Sequence, residues 1–587
     1  MALPEVRTEI LDGALGLSQQ DFSAIHIKVG MSSSGDVNAL TRTPFTRPRD
    51  VKSTFGTGPL VEAGCFHIAR TAKGTYLVRI DGSVVGTTSS VTKSRSASPT
   101  IVLSGAPRDT YDAAIRITQA GTVGSGTGSG AFVFYVDGGD SESPEIAMPA
   151  ASEDAATVTG TADLSASGLY GGAGTLDGTG FEVNGEQVTF TAPANAAAVA
   201  AAINTAVGED VATINAQSRL VLTHGTSVVL AAGSPSGALA LLGLTAGTTN
   251  ATPGTATYAL GDTGLTVTFP QGDYAVDDTY TFTTTQPSYT LSDLQDALDV
   301  ILANHRIEWF CMHVVGAPAT ASAARTMADV LATYAADFEA VHRYMYFVME
   351  TAADADPDEL EEEFADFEST RVAVSFRNCE LTSEATRDGA LKRVFSRPVA
   401  WPIVARWAAS PISEKAAYVG RGALPGVVSV DQETLEAAER MTDARFLALR
   451  EVIGKPGYYL ADDVMMAPVG SDFRIIPYRR IMDVACRVAR AKLLNYLNAP
   501  ILVDPTTGYI LESVAKSIED DVRESIKGAL VYPRPQHATS ADLTITRDND
   551  ILSTQQLVAE TRIVPPGYAR EIVHTIGFIN PTVTTAV

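Results

Sequence analysis

The pattern of apolar and polar positions predicts a long helix near the C-terminus. From Tyr478 to Leu497, apolar residues recur at spacings of three and four, which is the period of one helix face. Five basic residues fall largely off this face, and we expect them at the edge of a core: Arg479, Arg480, Arg487, Arg490 and Lys492. Short apolar runs at 458–460 and 464–468 predict strands before the helix, and Pro500 ends it.

Between residues 290 and 376 the period switches repeatedly between that of a strand and that of a helix. The predicted elements are helices 291–302, 319–338 and 357–370 and strands 307–315, 344–350 and 372–376. Such alternation favours a mostly parallel sheet covered by helices. A further helix is predicted from Asp431 to Glu451.

The first 150 residues predict two short helices over 49–63, a strand at 75–80 and later strands near 100–103, 113–117 and 131–136. The glycine-rich run 121–130 is followed by the apolar stretch Phe132–Val136. A loop that cradles phosphate needs a helix N-terminus at that point, so the run predicts a hairpin tip.

The composition changes near residue 150. Residues 151–285 contain no lysine, one arginine (Arg219) and twelve acidic residues, and Thr, Ala, Gly and Val dominate. Asn184-Gly185 predicts a hairpin turn, and residues 194–207 predict a small helix capped near Asn195. We interpret 151–257 as a peripheral β-rich domain inserted into a larger fold, with a host-surface or sugar-binding module as the alternative.

Charge and motif content narrow the possible functions. The net charge of −25 makes the chain a poor non-specific binder of nucleic acid. No catalytic motif or ligand-spaced histidine cluster is visible, so we expect no enzyme activity, cofactor or metal. The N-terminus lacks a signal-peptide pattern and no apolar run approaches ~20 residues, so we expect cytoplasmic synthesis and no membrane insertion.

Both chain ends have an extended pattern with too few apolar residues for a core of their own. Residues 1–24 and 571–587 are therefore predicted to pack as arms on something else. Before the second of these, the helix Glu512–Leu530 and the strand 541–547 are predicted, and a final strand is predicted over 563–579. The residues expected to lie extended in these arms are Glu5, Val6, Arg7, Ile572, Val573, Ile576, Phe578 and Ile579.

Several segments resemble the contractile tail sheath proteins of bacteriophages, which are related to pyocin and other contractile injection system sheaths. In the C-terminal half these are KPGYYLADDVMMAP, IPYRRIMDVACRVARAKLLNYLN, DLTITRDNDILSTQQL and IVPPGYAREIVHTIGFINP. In the N-terminal half they are RDVKSTFGTGPLVEAGCFHIARTAKGTYLVRI and DAAIRITQAGTVGSGTGSGAFVFYVDGGDSESPEI. The resemblance covers most of residues 1–150 and 258–587.

The resemblance implies an α/β and α+β multidomain protein with a C-terminal sheath core of mixed sheet plus helices. The expected parts are arm 1–24, middle domains 25–150 and 258–450, outer insert 151–257, sheath core 451–570 and arm 571–587. It also implies hexameric rings stacked in a helical sheath around a tail tube, with arms adding strands to neighbouring subunits. The implied partners are other copies of the chain, the tube protein, and baseplate and tail terminator proteins, in a virion tail assembled in the host cytoplasm.

In this family the inner domain holds the tube through a helix, partly by charge. We expect this helix to be Glu512–Leu530, where Lys516, Arg523 and Lys527 are spaced by seven and four residues and share a side. An ordinary solvated face is the alternative for these three residues. For the whole chain, the alternatives are a fibre or adhesin and an enzyme with an unrecognised site.

Overall fold

A computed structural model describes residues 25–578 apart from 42, 109, 125–126, 137–142, 151–154, 172–174, 251–255, 305–308 and 383–393. The predicted N-terminal arm, with Glu5, Val6 and Arg7, lies outside the described residues, as does Ile579. The described residues fall into two compact units, which divide at Val85–Gly86 and at Thr285–Gln286. We call 25–85 with 286–578 the first unit and 86–285 the second unit.

The helices are α1 (Pro48–Phe55), α2 (Pro59–Thr71), α3 (Ala196–Val207), α4 (Ala238–Leu242), α5 (Leu291–Ala303), α6 (Ala321–Ala340), α7 (Pro357–Phe364), α8 (Ala400–Ala409), α9 (Gln432–Asp443), α10 (Ile476–Leu493), α11 (Glu512–Leu530) and α12 (Ile551–Thr554).

The strands are β1 (His26–Gly30), β2 (Thr75–Arg79), β3 (Thr92–Lys93), β4 (Val102–Gly105), β5 (Asp112–Gln119), β6 (Gly121–Gly124), β7 (Thr127–Gly128), β8 (Ala131–Val136), β9 (Ile146–Ala147), β10 (Ala156–Thr159), β11 (Gly180–Val183), β12 (Glu186–Thr189), β13 (Ala212–Ile214), β14 (Leu220–His224), β15 (Ser227–Ala232), β16 (Gly247–Asn250), β17 (Ala256–Ala259), β18 (Leu265–Phe269), β19 (Gly272–Tyr274), β20 (Thr279–Thr283), β21 (Cys311–Val314), β22 (Tyr346–Met349), β23 (Val372–Ser375), β24 (Asn378–Thr382), β25 (Val394–Pro398), β26 (Val427–Ser429), β27 (Phe446–Leu447), β28 (Leu449–Val452), β29 (Lys455–Leu460), β30 (Ser540–Ile545) and β31 (Ala559–Val564).

A six-stranded parallel sheet forms the centre of the first unit, in the order β2-β1-β21-β22-β23-β27. One face packs against α5, α6, α7 and α9, and the other packs against α2 and α8. Because both faces are covered, β1, β21, β22 and β23 are buried at every position. The predicted parallel sheet with covering helices is confirmed.

Local signals explain where several helices of this unit begin. Thr290 and Asp293 form a reciprocal capping box at the start of α5. α1, α2, α7 and α10 each carry a proline in the first turn, where a missing N–H costs no intrahelical bond.

The C-terminal part of the first unit packs α10, α11 and the hairpin β30–β31 around a second apolar core. Ile481, Ala485 and Val488 of α10 face Ile518, Val522 and Ile526 of α11. β30 adds every second residue, with Ala541, Leu543 and Ile545 buried and the intervening residues exposed. The predicted apolar face of α11 is therefore confirmed, as is that of α10 as far as Val488. The helix predicted to Leu497 stops at Leu493, and Leu494 and Leu497 are exposed.

Two basic residues of α10 differ from their prediction, whereas Arg487, Arg490 and Lys492 are half-buried, as expected at the edge of a core. Arg479 and Arg480 are 5% and 0% exposed, and so they lie inside the protein and not at the edge of a core. Asp483, also fully buried, accepts from Arg479 at 2.7 Å and from Arg371 at 3.1 Å, and Glu339 holds the second side of Arg371 at 2.9 Å. Pairing with an acidic side chain therefore allows a charged residue of α10 to be buried, although the spacing predicted a position at the edge of a core.

Arg480 and Arg487 donate to backbone carbonyl oxygens. Arg480 donates to the carbonyls of Trp407 at 2.9 Å and Ser410 at 3.4 Å, which lie at the C-terminal end of α8. A cation there is favoured by the helix dipole. Arg487 donates to the carbonyls of Trp309 and Tyr344, just before β21 and β22. α10 thus joins the sheet, α8 and the C-terminal core.

Three other predicted elements end earlier than expected. The strand predicted over 563–579 stops at Val564, because Pro565 and Pro566 offer no N–H to a ladder. The helix predicted to Glu451 stops at Asp443, and Arg445 then turns the chain into β27 with φ 76°. The helix predicted over 357–370 stops at Phe364.

The second unit contains two apolar cores. One is built by residues between Ala156 and Leu244, including α3, α4 and the predicted Asn184-Gly185 hairpin with positive φ at both turn residues. The other is built by strands on either side of that stretch, such as β5, β8, β18 and β20. Residues 86–150, which the sequence grouped with 258–450, lie in this unit. An outer position for the insert 151–257 stays a prediction.

We expect the buried ion cluster of α10 to be essential for the stability of the first unit. Asp483→Asn leaves Arg371 and Arg479 buried without their shared carboxylate, which should lower the free energy of unfolding by about 3–5 kcal/mol. Urea unfolding followed by tryptophan fluorescence measures this unit alone, because Trp309, Trp401 and Trp407 all lie in it.

The matched control is Asp358→Asn, which removes the 80% exposed partner of Arg440. This exposed pair should contribute no more than about 1 kcal/mol. Equal effects of the two substitutions would contradict a special role for Asp483.

Candidate assembly surfaces

The last described residues of the first unit, 571–578, form an exposed apolar segment. Ile572, Val573, Ile576 and Phe578 are 83%, 83%, 81% and 109% exposed. Single exposed apolar residues are ordinary, but four within seven residues form a contiguous apolar surface that favours a binding partner. Three of the four are β-branched and the fourth is aromatic, and such residues fit a pleated sheet. We call residues 571–578 the tail.

The hairpin β30–β31 offers an edge at which such a segment could add. The Thr546 N–H donates to the carbonyl of Val558, the residue opposite it. Hydrogen-bonded and non-hydrogen-bonded pairs alternate along an antiparallel ladder. Residues 559, 561 and 563 therefore direct their N–H and C=O groups away from β30. Among the described residues no strand pairs with that side of β31. An edge of this kind is a ready template for another strand.

The opposite edge of the hairpin is occupied by side chains. The N–H of Ile545 donates to Glu519 at 2.6 Å, and the same carboxylate holds Arg547. The bond to Arg547 lowers the pKa of Glu519, which keeps this group ionised as an acceptor. β31 therefore presents the open edge, and β30 the closed one.

The three basic residues expected to contact a tube all lie on α11, and each is paired with an acid. Lys516 is 66% exposed and lies 3.5 Å from Glu512. Arg523 pairs with Asp520 and, at 3.5 Å, with Asp542. Lys527 pairs with Glu524 at 3.1 Å. The helix thus presents alternating charge, and the assignment of the three residues to a tube contact stays a prediction.

A buried polar cluster, which the sequence analysis missed, lies on the face of the parallel sheet covered by α2 and α8. Lys28 Nζ lies 2.9 Å from His313 Nδ1, and His313 Nε2 lies 2.9 Å from Glu350 Oε1. Glu350 can only accept, so His313 carries its proton on Nε2 and accepts from Lys28 on Nδ1. Trp401 Nε1 and the N–H of Gly316 also donate to Glu350, at 2.8 Å each.

Two further histidines lie beside this cluster. The rings of His26 and His67 are 5.3 Å apart, and neither ring has a hydrogen-bond partner among the described residues. Burial holds the pKa of both imidazoles well below 6.5, lowers the pKa of His313 to about 4 and lowers the pKa of Lys28 to about 8. The available signal was the alternation of His26 and Lys28 in an apolar strand, which places both on one face.

A cavity of about 430 Å³ opens at the carboxyl ends of β1 and β21. This is the point where the strand order reverses, and open α/β sheets bind ligands there. Met31, Pro59, Leu291 and Met327 line it, and the Tyr289 hydroxyl at its wall donates to the Val315 carbonyl at 3.0 Å. The lining is mainly apolar side chain and main chain.

Metal-ligand groups and membrane-spanning helices are both absent from the described residues. Within the described ranges, no three His, Cys, Asp or Glu side chains are grouped so that they could hold a metal ion. No helix in the part of the chain that the structure describes is long and apolar enough to cross a membrane.

The chain belongs to the DUF2586 family. The model of the DUF2586 N-terminal domain matches residues 3–464, and that of the C-terminal domain matches residues 472–583. The junction between the two falls after β29 and before α10. A search of curated proteins found no match.

Among solved structures, the chain is similar to two sheath tail proteins, which is the class that its sequence resembles. The protein from Desulfitobacterium hafniense is 10% identical with a TM-score of 0.38, over 96% of this chain and all of that one. The protein from Listeria innocua is 11% identical with a TM-score of 0.37, over 92% and 94%. A chain of the anti-feeding prophage baseplate is 16% identical with a TM-score of 0.34, over 50% and 75%. These values describe a broad likeness only.

We expect the buried histidines to make the first unit sensitive to acid. In the unfolded chain each histidine has a pKa of about 6.5, so below that pH the unfolded state binds protons that the folded state excludes. Stability should be full above about pH 6.5 and fall as the pH decreases, by about 2 kcal/mol per histidine at pH 5. Urea unfolding followed by tryptophan fluorescence from pH 8 to pH 5 measures the slope.

The substitution His67→Leu should remove one of these groups at similar side-chain volume. Stability at pH 8 should change little, and the loss between pH 8 and pH 5 should shrink by about 2 kcal/mol. The control is His574→Gln in the exposed tail, which should leave the slope unchanged. An unchanged slope in His67→Leu would show that this imidazole is not the titrating group.

Proposed function

We propose that this chain is the subunit of a contractile tail sheath. It polymerises as stacked hexameric rings around a tail tube, and contraction of the sheath drives the tube through a host envelope. Its partners are other copies of itself, the tube protein, and baseplate and terminator proteins at the two ends. The observation that carries the proposal is the pairing, in one subunit, of an exposed apolar tail with an open strand edge.

The tail supplies a strand that the subunit itself does not use. Burying an apolar side chain of this size stabilises by ~1.5–3 kcal/mol, and the tail has four of them exposed. The main chain of residues 571–578 makes no strand ladder within the described residues. Addition to a sheet of a second copy would satisfy the main-chain groups and cover the apolar side chains together.

The open edge of β31 supplies the acceptor. A two-stranded sheet is marginal alone, and β30–β31 is held by α11 on one face. A third strand along residues 559–563 would complete its ladder. A contact between the tail of one copy and the β31 edge of another would be heterologous, and heterologous contacts that repeat from copy to copy build rings or helices.

The rest of the first unit suits a subunit that moves as a body. Its sheet is covered on both faces and joined to the C-terminal core by the charged contacts of α10. A contracting sheath needs subunits that slide to a lower-energy packing while the links between them persist. Strand addition through an extended tail permits this, since the hydrogen bonds of the link do not depend on how the bodies pack.

We expect the tail to be necessary for polymerisation and unnecessary for folding. Replacement of Ile572, Val573, Ile576 and Phe578 by serine removes the apolar surface at constant length. The protein should unfold in urea as before but remain monomeric at concentrations where the unchanged protein forms tubes. Sedimentation velocity and electron microscopy measure the difference.

Ile453→Ser is the control, because Ile453 is fully exposed in a turn elsewhere in the same unit. Deletion of residues 1–20, the predicted N-terminal arm, should also abolish tubes without unfolding the monomer. Tubes of normal length from the four-serine variant would remove the tail from the proposal.

We expect Lys516, Arg523 and Lys527 to contribute to tube binding. Their triple replacement by glutamate should weaken co-assembly with the tube protein and reduce its salt dependence, because exposed charges act within about a Debye length. Tube-free sheath polymers should form normally. Co-sedimentation across a salt series is the measurement.

The matched control replaces Arg421, Arg440 and Arg450, also of the first unit, by glutamate. It makes the same change in net charge away from α11. If both triple variants lose tube binding equally, net charge and not this helix face is responsible. Unchanged co-assembly in the α11 variant would exclude these residues.

A further inference from the structure

The tail does not leave directly from the hairpin that precedes it in sequence. Residues 566–570 first bind the surface of the sheet-bearing part of the first unit, and we call these residues the clip. The Tyr568 hydroxyl donates to the Ser413 carbonyl at 2.7 Å, and the Tyr478 hydroxyl donates to the Pro566 carbonyl at 3.0 Å. The two tyrosine rings pack with centroids 5.5 Å apart.

An ion pair closes the clip at its last residue. Arg570 Nε lies 3.1 Å from Asp462 Oδ2, while Lys415 Nζ lies 2.6 Å from Asp462 Oδ1. Lys415 also lies over the Tyr568 ring, 5.0 Å from its centroid. The Asp462 side chain is 10% exposed and the Arg570 side chain is 62% exposed, so solvent screens this pair in part.

Burial decreases along the clip, and Ala569 and Arg570 are already exposed. Tyr568 is half-buried, and burial raises the pKa of its hydroxyl, which therefore remains a donor at neutral pH. The residues directly after Arg570 are exposed without a gap from 571 to 578. The clip contacts Ser413 and Lys415 after α8, Asp462 after β29 and Tyr478 in the first turn of α10. None of these residues belongs to β30 or β31.

We propose that Tyr568 and Arg570 are positioning residues that fix the point and direction in which the C-terminal tail leaves the subunit. This inference rests on the proposed function, because it assigns the clip a role in strand donation to a second copy. The tail thereby follows the sheet-bearing body rather than the hairpin next to it in sequence.

The physical reason is the entropy of ordering. A segment tethered at a fixed root samples fewer positions than one that swings from Val564, so its effective concentration at a neighbour's edge is higher. Loss of the clip adds six residues, 565–570, to the freely moving length. Strand donation should then require a higher subunit concentration, although every group that forms the strand is still present.

The clip can be tested in the monomer by proteolysis with a glutamate-specific protease. Cleavage after Glu571 requires the residues on both sides to adopt an extended, accessible form, and the clip restrains those immediately before it. Tyr568→Ala and Arg570→Gln should each increase the cleavage rate at Glu571 by about tenfold or more, and Tyr568→Phe, which loses only the hydroxyl, should lie between them and the unchanged protein. Arg562→Gln, which breaks the exposed ion pair with Glu560 on β31, should have no effect on this rate.

Polymerisation tests the role of the clip. The clip variants should keep the urea midpoint of the tryptophan signal, while the concentration needed for tube formation should rise about tenfold, which corresponds to about 1.4 kcal/mol. An unchanged cleavage rate at Glu571 would overturn the clip itself. Faster cleavage with an unchanged critical concentration would overturn its role in assembly.

The outcomes separate this inference from the proposed function. If the four-serine tail variant still forms tubes, strand donation by the tail is wrong, whatever the cleavage rates show. If that variant fails and the clip variants assemble normally, strand donation stands and the clip inference falls. Tyr568→Phe keeps the aromatic contact with Tyr478, so it remains informative if Tyr568→Ala destabilises the fold.

Discussion

The burial of charge along α10 is the constraint on which the first unit depends. Asp483 pairs with both Arg371 and Arg479 in the interior, and Arg480 donates to the carbonyl end of α8. Such groups cost much to desolvate, so they are stable only when every partner is in place. This gives the junction between sheet and C-terminal core a specific geometry that apolar packing alone would define less sharply.

The parallel sheet carries a second buried polar cluster, which is built around histidines rather than around arginine–carboxylate pairs. Around Lys28, His313 and Glu350, hydrogen bonds fix a single tautomer, while His26 and His67 lie buried as neutral rings. Neutral imidazoles are tolerated in such a place at neutral pH but disfavoured in acid. The sheet therefore combines a rigid apolar frame with a proton-sensitive centre.

The surfaces assigned to assembly contribute little to the stability of the fold. The tail buries almost nothing in its own subunit, and the outer edge of β31 bonds to no strand within the described residues. Stability and assembly can therefore be altered separately. In the proposed sheath this separation is useful, because links between subunits can persist while the packing of their bodies changes, and the clip would connect each link to the body that carries it.

Most helices and strands could be predicted from the sequence, because their signals are local. Periods of 2 and 3.6 residues, the capping residues and the Asn184-Gly185 turn predicted the parallel sheet, the faces of α10 and α11 and the first hairpin of the insert. The end of β31 is also a local matter, because Pro565 and Pro566 follow Val564 directly and offer no N–H to a ladder.

The burial of polar residues and the partners they bind could not be predicted from the sequence. Lys28 and His313 are 285 residues apart, Arg371 and Asp483 are 112 apart, and Tyr568 and Ser413 are 155 apart. The helix period shows that Arg479 and Arg480 lie off the main apolar face. It does not show that the sheet-bearing part of the unit covers the other face of α10, because those residues are distant in sequence. Burial of a charged residue depends on partners brought together by the fold, and for that reason the tertiary structure alone could decide it.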